Sequence, residues 1–160
     1  MSFASMLQGL TGAGVRFSVI GGVAAAAHGS ERATNDLDVC YDTDEDNISR
    51  LADLLLSWNA YPRGVELGLP FFMDARQFHI QPGMTLTTRE GEIDVLAYVD
   101  GLGRYAHVMA QSIEVEGFDV RLHVLDLPGL ITAKRAANRD KDVAHLPELE
   151  ALLALREEQD

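Results

Sequence analysis

The stretch VIGGVAAAAHGSERATNDLDV, residues 19–39, constrains the fold more than any other part of the sequence. Gly21 and Gly22 directly follow VRFSVI (15–20), an alternating segment that predicts a β-strand. The alanine-rich run after the glycines favours a helix, and DLDVCY (36–41) is typical of a second strand. Glycines between a strand and a helix let a ligand approach the backbone closely, and N–H groups at a helix start favour phosphate. We therefore expect a phosphate-binding turn at the two glycines.

The remaining pattern predicts helices and strands that interleave along the chain. Helices are expected at 2–13, 43–59, 103–112, 127–138 and 142–159, and strands at 84–88 and 92–99, with a hairpin over 113–125 that turns near Glu116–Gly117. Asp126 is a candidate cap for the helix at 127, which has Pro128 in its first turn. Residues 60–82 contain three prolines and several glycines, and they give no clear periodicity. We expect one domain over residues 1–160, of the α/β or α+β class, with a mixed sheet covered by helices and two C-terminal helices.

Three aspartates in these strands are candidate metal ligands. Asp36 and Asp38 are two residues apart on one predicted strand, so both side chains lie on the same face. Asp94 holds the same kind of position in EIDVLAYV, between apolar neighbours. If the two strands are neighbours, three carboxylates converge, and such a set of oxygen ligands fits Mg²⁺. Two ions about 4 Å apart can activate a hydroxyl group and stabilise a leaving pyrophosphate.

This ordered set of motifs resembles the nucleotidyltransferase superfamily of DNA polymerase beta. It consists of Gly21-Gly22, a short helix, Asp36-Leu37-Asp38 and the later Asp94 on an apolar strand. Within the superfamily the chain is similar to the small bacterial AbiEii-like and minimal nucleotidyltransferases, over residues 17–42, 84–98 and 121–146. The resemblance implies a nucleotidyltransferase fold and the metal-dependent transfer of a nucleoside monophosphate from a nucleoside triphosphate to a hydroxyl acceptor.

The resemblance also implies a role for each site residue. Asp36, Asp38 and Asp94 would be catalytic and would bind two Mg²⁺ ions, or Mn²⁺ in their place. The nucleotide would be bound by Gly21, Gly22, Arg32, Thr34 and Lys134, with Lys134 reaching its phosphates and Arg32 and Thr34 shaping the loop before the carboxylates. The acceptor would be a tRNA, a protein or a small molecule, and a toxin–antitoxin role is among those implied.

Two departures from the family pattern affect these expectations. Many relatives have Gly-Ser where this chain has Gly21-Gly22, so a hydroxyl contact to phosphate would be absent. The chain also has no large second domain, and we expect a partner protein or a second copy of the chain to complete the acceptor pocket.

Charge and composition restrict the class of protein further. The formal net charge of -12 disfavours broad nucleic-acid binding, although TAKRAANRDKD (132–142) is a local basic patch. The N-terminus lacks the pattern of a signal peptide and no apolar run is long enough to span a bilayer, so we expect a cytoplasmic protein without membrane contact. The single cysteine, Cys40, lies in an apolar run and is expected to be buried.

Several alternatives remain open from the sequence. Asp36 and Asp38 could be surface acids, Lys134 could belong to a solvated helix face, and Arg32 could hold its loop against the aspartates. Arg139, Lys141 and Asp142 could form salt bridges along the last helices. The alternative to an enzyme is a non-catalytic module with a nucleotidyltransferase fold that binds a nucleotide or a partner protein.

Overall fold

The structure is a computed structural model that describes residues 2–66 and 68–159. In these residues the chain forms seven helices: α1 (Phe3–Gly12), α2 (Gly21–Ala27), α3 (Glu45–Ser57), α4 (Ala75–Ile80), α5 (Tyr105–Ala110), α6 (Leu127–Ala137) and α7 (Asp140–Gln159). The strands are β1 (Phe17–Ile20), β2 (Asp36–Tyr41), β3 (Tyr61–Pro62), β4 (Gly83–Thr88), β5 (Gly91–Leu96), β6 (Tyr98–Val99), β7 (Gly103–Arg104), β8 (Ser112–Gly117) and β9 (Val120–Leu125). This confirms the expected mixture of helices and strands.

Seven of the described strands form one mixed sheet in the order β3-β4-β5-β2-β1-β9-β8, and β6 pairs with β7 separately. The central strand β2 is antiparallel to β1 and parallel to β5. On the outer sides, β9 is parallel to β1, whereas β4 is antiparallel to β5. The pairing of β2 with β5 matters most for function, because it joins the two strands that contain the three aspartates.

The core lies between this sheet and the helices, and local sequence explains where each helix begins. Ser2 caps α1 by accepting a hydrogen bond from the backbone N–H of Ser5 at 3.1 Å. The predicted cap Asp126 accepts from the backbone N–H of Gly129 at 2.7 Å and starts α6. Leu7, Leu10, Leu51, Leu55 and Leu130 are among the fully buried side chains contributed by the helices to the core. Cys40 is also buried, as expected, and burial raises the pKa of its thiol to about 12.

Some element boundaries differ from the sequence prediction. The hairpin of β8 and β9 turns at Phe118 and Asp119 rather than near Glu116–Gly117, because Gly117 still pairs with Val120. Both turn residues have positive φ, 55° and 64°, as a two-residue type I′ turn requires. Residues 60–82, which had no readable pattern, contain the two-residue strand β3 and the short helix α4. None of the described helices is both long enough and apolar enough to span a bilayer.

Candidate functional site

Asp36, Asp38 and Asp94 lie together at the centre of the sheet. Because β2 and β5 are parallel and in register, Asp38 stands directly opposite Asp94. One carboxylate oxygen from each of the three residues lies within 4.8 Å of the others. Leu37 and Val39, which alternate with the aspartates, are fully buried on the other face of β2. We refer to Asp36, Asp38 and Asp94 as the carboxylate cluster, and it could hold a metal ion.

The negative charge of the carboxylate cluster is larger than the positive charge that neighbouring side chains supply. Burial, together with the charges of Asp94 and Asp36, raises the pKa of Asp38 to about 8. Burial raises the pKa of Asp94 as well, although the charge of Arg63 opposes this shift. Oδ1 of Asp38 is buried, and no described residue gives it a hydrogen bond. Oδ1 of Asp94 is likewise buried without a hydrogen bond from the described residues, and crowded oxygen ligands of this kind fit a divalent cation such as Mg²⁺ or Mn²⁺.

The structure gives the two glycines a role that is independent of any ligand. Gly21 has a φ of 64°, and a Cβ atom added to it would overlap the carboxylate of Asp38. A Cβ atom on Gly22 would lie 2.6 Å from Oγ1 of Thr34. Both glycines are the first residues of α2, which therefore begins two residues before the alanine-rich run. The absence of side chains at these positions lets the start of α2 pack against the carboxylate cluster.

Lys134 lines the same pocket as Asp38, one member of the carboxylate cluster. A pocket of about 300 Å³ is lined by Gly21, Asp38 and Lys134 among other residues. Nζ of Lys134 is 3.1 Å from Oδ1 of Asp142, and Nε of Arg139 is 2.7 Å from Oδ2 of the same carboxylate. Asp142 is fully buried, and although burial alone would raise its pKa, the hydrogen bonds from Arg139 and Lys134 lower it to about 2. A buried carboxylate therefore fixes Lys134 at the wall of the pocket.

The other two predicted nucleotide-binding residues, Thr34 and Arg32, make contacts in different parts of the structure. Thr34 lies beside Gly22, and its hydroxyl donates to the backbone carbonyl of Asp36 at 3.2 Å. The Arg32 guanidinium instead donates to the carbonyl of Lys141, at 3.3 Å, near the start of α7. The loop is thus held against α7 through Arg32, and the contact with the carboxylate cluster comes from Thr34.

Arg63 is the residue of this site that the sequence did not indicate. Its guanidinium lies 2.9 Å from Oδ1 of Asp94, 3.6 Å from Oδ2 of Asp36 and 3.1 Å from Oε2 of Glu92. Arg63 follows β3, in the stretch that had no readable periodicity, so no sequence signal brought it to the cluster. The pairing of β3 with β4 at the edge of the sheet places it there.

Two histidine groups have structural rather than catalytic geometry. His28 is buried, with Nε2 2.8 Å from the carbonyl of Leu125 and Nδ1 2.8 Å from a guanidinium nitrogen of Arg156, so the ring links β9 to α7. Nε2 of His145 lies 3.2 Å from Oγ of Ser30 and 3.0 Å from Oε1 of Glu148. A serine–histidine–acid triad uses the two opposite ring nitrogens, whereas here both partners contact the same one.

No protein-family model matches the chain, and no curated protein matches it at a significant level. The functional inference therefore depends on the geometry of the carboxylate cluster and its surroundings.

Proposed function

We propose that this protein is a metal-dependent nucleotidyltransferase with a nucleotidyltransferase fold. The observation that carries the proposal is the convergence of Asp36, Asp38 and Asp94, of which Asp38 lines a pocket that also contains Gly21 and Lys134. Hard oxygen ligands next to a lysine are the combination needed to bind the metal complex of a triphosphate. The substrate would be a nucleoside triphosphate, and the acceptor a hydroxyl group of a tRNA, a protein or a small molecule, in the cytoplasm.

Each residue has a chemical task in this proposal. Asp36 and Asp38 would hold Mg²⁺, which would screen the phosphate charge and polarise the reacting phosphorus. The acceptor oxygen would bond to the α-phosphorus as the bond from that phosphorus to the pyrophosphate oxygen breaks. Asp94 would take the proton of the acceptor hydroxyl, and Lys134 would offset the charge on the departing pyrophosphate. The backbone at Gly21 and Gly22 would lie against the phosphates.

A non-catalytic binding module is the second candidate, and one observation favours it. Arg63 already supplies a positive charge to Asp36 and Asp94, so the cluster has a partial counterion without any metal. Such a module would bind a nucleotide or a partner protein without turnover.

The deciding experiment measures label transfer from each of the four α-phosphate-labelled nucleoside triphosphates, with tRNA and total cell protein as acceptors. We expect Mg²⁺-dependent transfer and pyrophosphate release by the wild type, with a loss of about 100-fold or more when Asp36→Asn and Asp38→Asn are combined. The matched control combines Glu114→Gln and Glu116→Gln on β8, which removes the same charge away from the pocket. Nucleotide binding without transfer to any acceptor would favour the binding module.

A further inference from the structure

The position of Arg63 divides the carboxylate cluster into two sides. Its guanidinium contacts Asp94 and Asp36, together with the neighbouring Glu92. Asp38 instead faces the pocket that contains Gly21 and Lys134, and its Oδ1 has no hydrogen bond from the described residues. One side of the cluster therefore already has a cation 2.9 Å from Asp94, whereas Asp38 forms no ion pair with any described residue.

Arg63 is fixed in this position by the backbone of the sheet. Its own N–H donates to the carbonyl of Thr85 at 2.9 Å, and Nη2 of its side chain donates to the carbonyl of Leu86 at 2.9 Å. The side chain is 26% exposed, so solvent screens its charge only in part. A guanidinium held in this way is part of the site, unlike a surface arginine that samples many conformations.

Arg63 lies close to Asp94 without forming a well-aligned hydrogen bond to its carboxylate. Nε of Arg63 and Oδ1 of Asp94 are close to opposite charges, yet both are buried without a well-aligned hydrogen bond from the described residues. The guanidinium thus neutralises Asp94 by proximity, while its Nη2 donates to the backbone carbonyls of Leu86 at 2.9 Å and Ile93 at 3.5 Å. One guanidinium and one divalent ion together carry three positive charges, which equals the charge of the three cluster carboxylates, and Glu92 is a further acidic neighbour of the guanidinium.

We infer that Arg63 is the resident second cation of the carboxylate cluster, so that the folded protein binds one divalent ion rather than two. This inference rests on the proposed function, because it concerns the metal-binding property of the same carboxylates. The single ion is held by Asp38 together with Asp36, and Arg63 occupies the Asp94 side. A second ion binds only if Arg63 is removed.

The test counts bound Mn²⁺ by calorimetry and electron paramagnetic resonance in the absence of nucleotide. We expect one bound ion in the wild type and two in Arg63→Gln, because the variant lacks the guanidinium that occupies the second cation position. If the glutamine variant folds poorly, the measurement is repeated with Arg63→Met, which keeps the apolar stem of the side chain. Arg121→Gln is the control, because it removes one positive charge from the exposed hairpin of β8 and β9 and should leave the count at one.

The outcomes separate this inference from the proposed function. Two ions in the wild type, or one ion in both Arg63 variants, would overturn the role of Arg63 and leave the metal site intact. If the wild type binds no ion, or if Asp36→Asn with Asp38→Asn leaves binding unchanged, the metal site itself is wrong and the inference fails with it.

Discussion

The buried carboxylate of Asp142 holds the ammonium group of Lys134 at 3.1 Å, across the turn between α6 and α7. We expect Asp142→Asn to destabilise the protein by about 2 kcal/mol, since it removes the charge that compensates Lys134 and Arg139. The same change should raise the KM for the nucleoside triphosphate more than it lowers kcat, because Lys134 loses its anchor. Urea unfolding and steady-state kinetics measure the two effects. Glu150→Gln, which breaks the exposed pair with Arg135, is the control and should change stability by less than about 0.5 kcal/mol.

The carboxylate cluster should make the melting temperature respond to metal. Mg²⁺ or Mn²⁺ that binds only the folded state raises this temperature, and the combination of Asp36→Asn with Asp38→Asn should abolish the rise. Without metal, Asp38→Asn alone should stabilise the protein by on the order of 1 kcal/mol, because it removes a carboxylate whose ionisation burial opposes, and this gain should grow as pH rises from about 4 and level off above about pH 8. Thermal melts with metal and with a chelator test both points. An equal metal-induced rise in the double variant would contradict the assignment of the ligands.

The glycine at position 21 should be indispensable to the geometry of Asp38. Gly21→Ala adds a Cβ atom where the Asp38 carboxylate lies, at a positive φ, so we expect a loss of about 1–3 kcal/mol and weaker metal binding. Gly12→Ala at the end of α1 is the control, since its Cβ atom would meet nothing within 4 Å. Chemical unfolding and metal titration of the two variants give the comparison. Wild-type metal affinity in a folded Gly21→Ala protein would rule out this packing role.

Substitution of Asp94 should affect nucleotidyl transfer much more than nucleotide binding. Asp36 and Asp38 remain in Asp94→Asn, so we expect much of the nucleotide affinity to persist. Transfer should fall about 100-fold or more, because the group that takes the proton of the acceptor is lost. Calorimetry measures the affinity, and label transfer to the acceptor found in the screen measures the rate. Transfer as fast as in the wild type would assign Asp94 to structure alone.

His28 should make the folded protein sensitive to mild acid. Burial is the main cause that lowers its pKa, and the charge of Arg156 adds to it although the hydrogen bond to Leu125 opposes it. Below pH about 6.5 the unfolded chain takes a proton that the folded ring resists, so the free energy of unfolding falls as pH falls. Urea unfolding at pH 7.5 and 5.5 should show a larger loss in the wild type than in His28→Gln. Equal losses of unfolding free energy in the wild type and in His28→Gln would show that another group causes the acid sensitivity.

The central part of the fold and site was predictable because it depends on local patterns. The alternation in DLDVCY fixed both the strand β2 and the shared face of Asp36 and Asp38. The opposition of Asp38 and Asp94 needed one further condition, that their strands are neighbours, and the sheet satisfies it. Polar and apolar periodicity carries this kind of information well.

The rest depended on long-range contacts that leave no local pattern. Arg63 reaches the cluster through a strand of only two residues, and Lys134 on α6 meets the buried Asp142 across the turn to α7. The salt bridge between Arg139 and Asp142, by contrast, is a local pairing that the sequence had left open. Arg32 was expected in the nucleotide-binding loop, whereas its guanidinium bonds to a backbone carbonyl near the start of α7. Whether these residues act on a nucleotide remains a prediction that the experiments above address.

The pairing of β2 with β5 has a consequence for the order of folding events. Asp38 and Asp94 are far apart along the chain, and they meet only when these two strands align in the sheet. A partly folded chain that lacks this pairing has no site for a divalent ion. An ion added during refolding should therefore leave the folding rate unchanged and slow unfolding, and stopped-flow measurements would resolve the two rates.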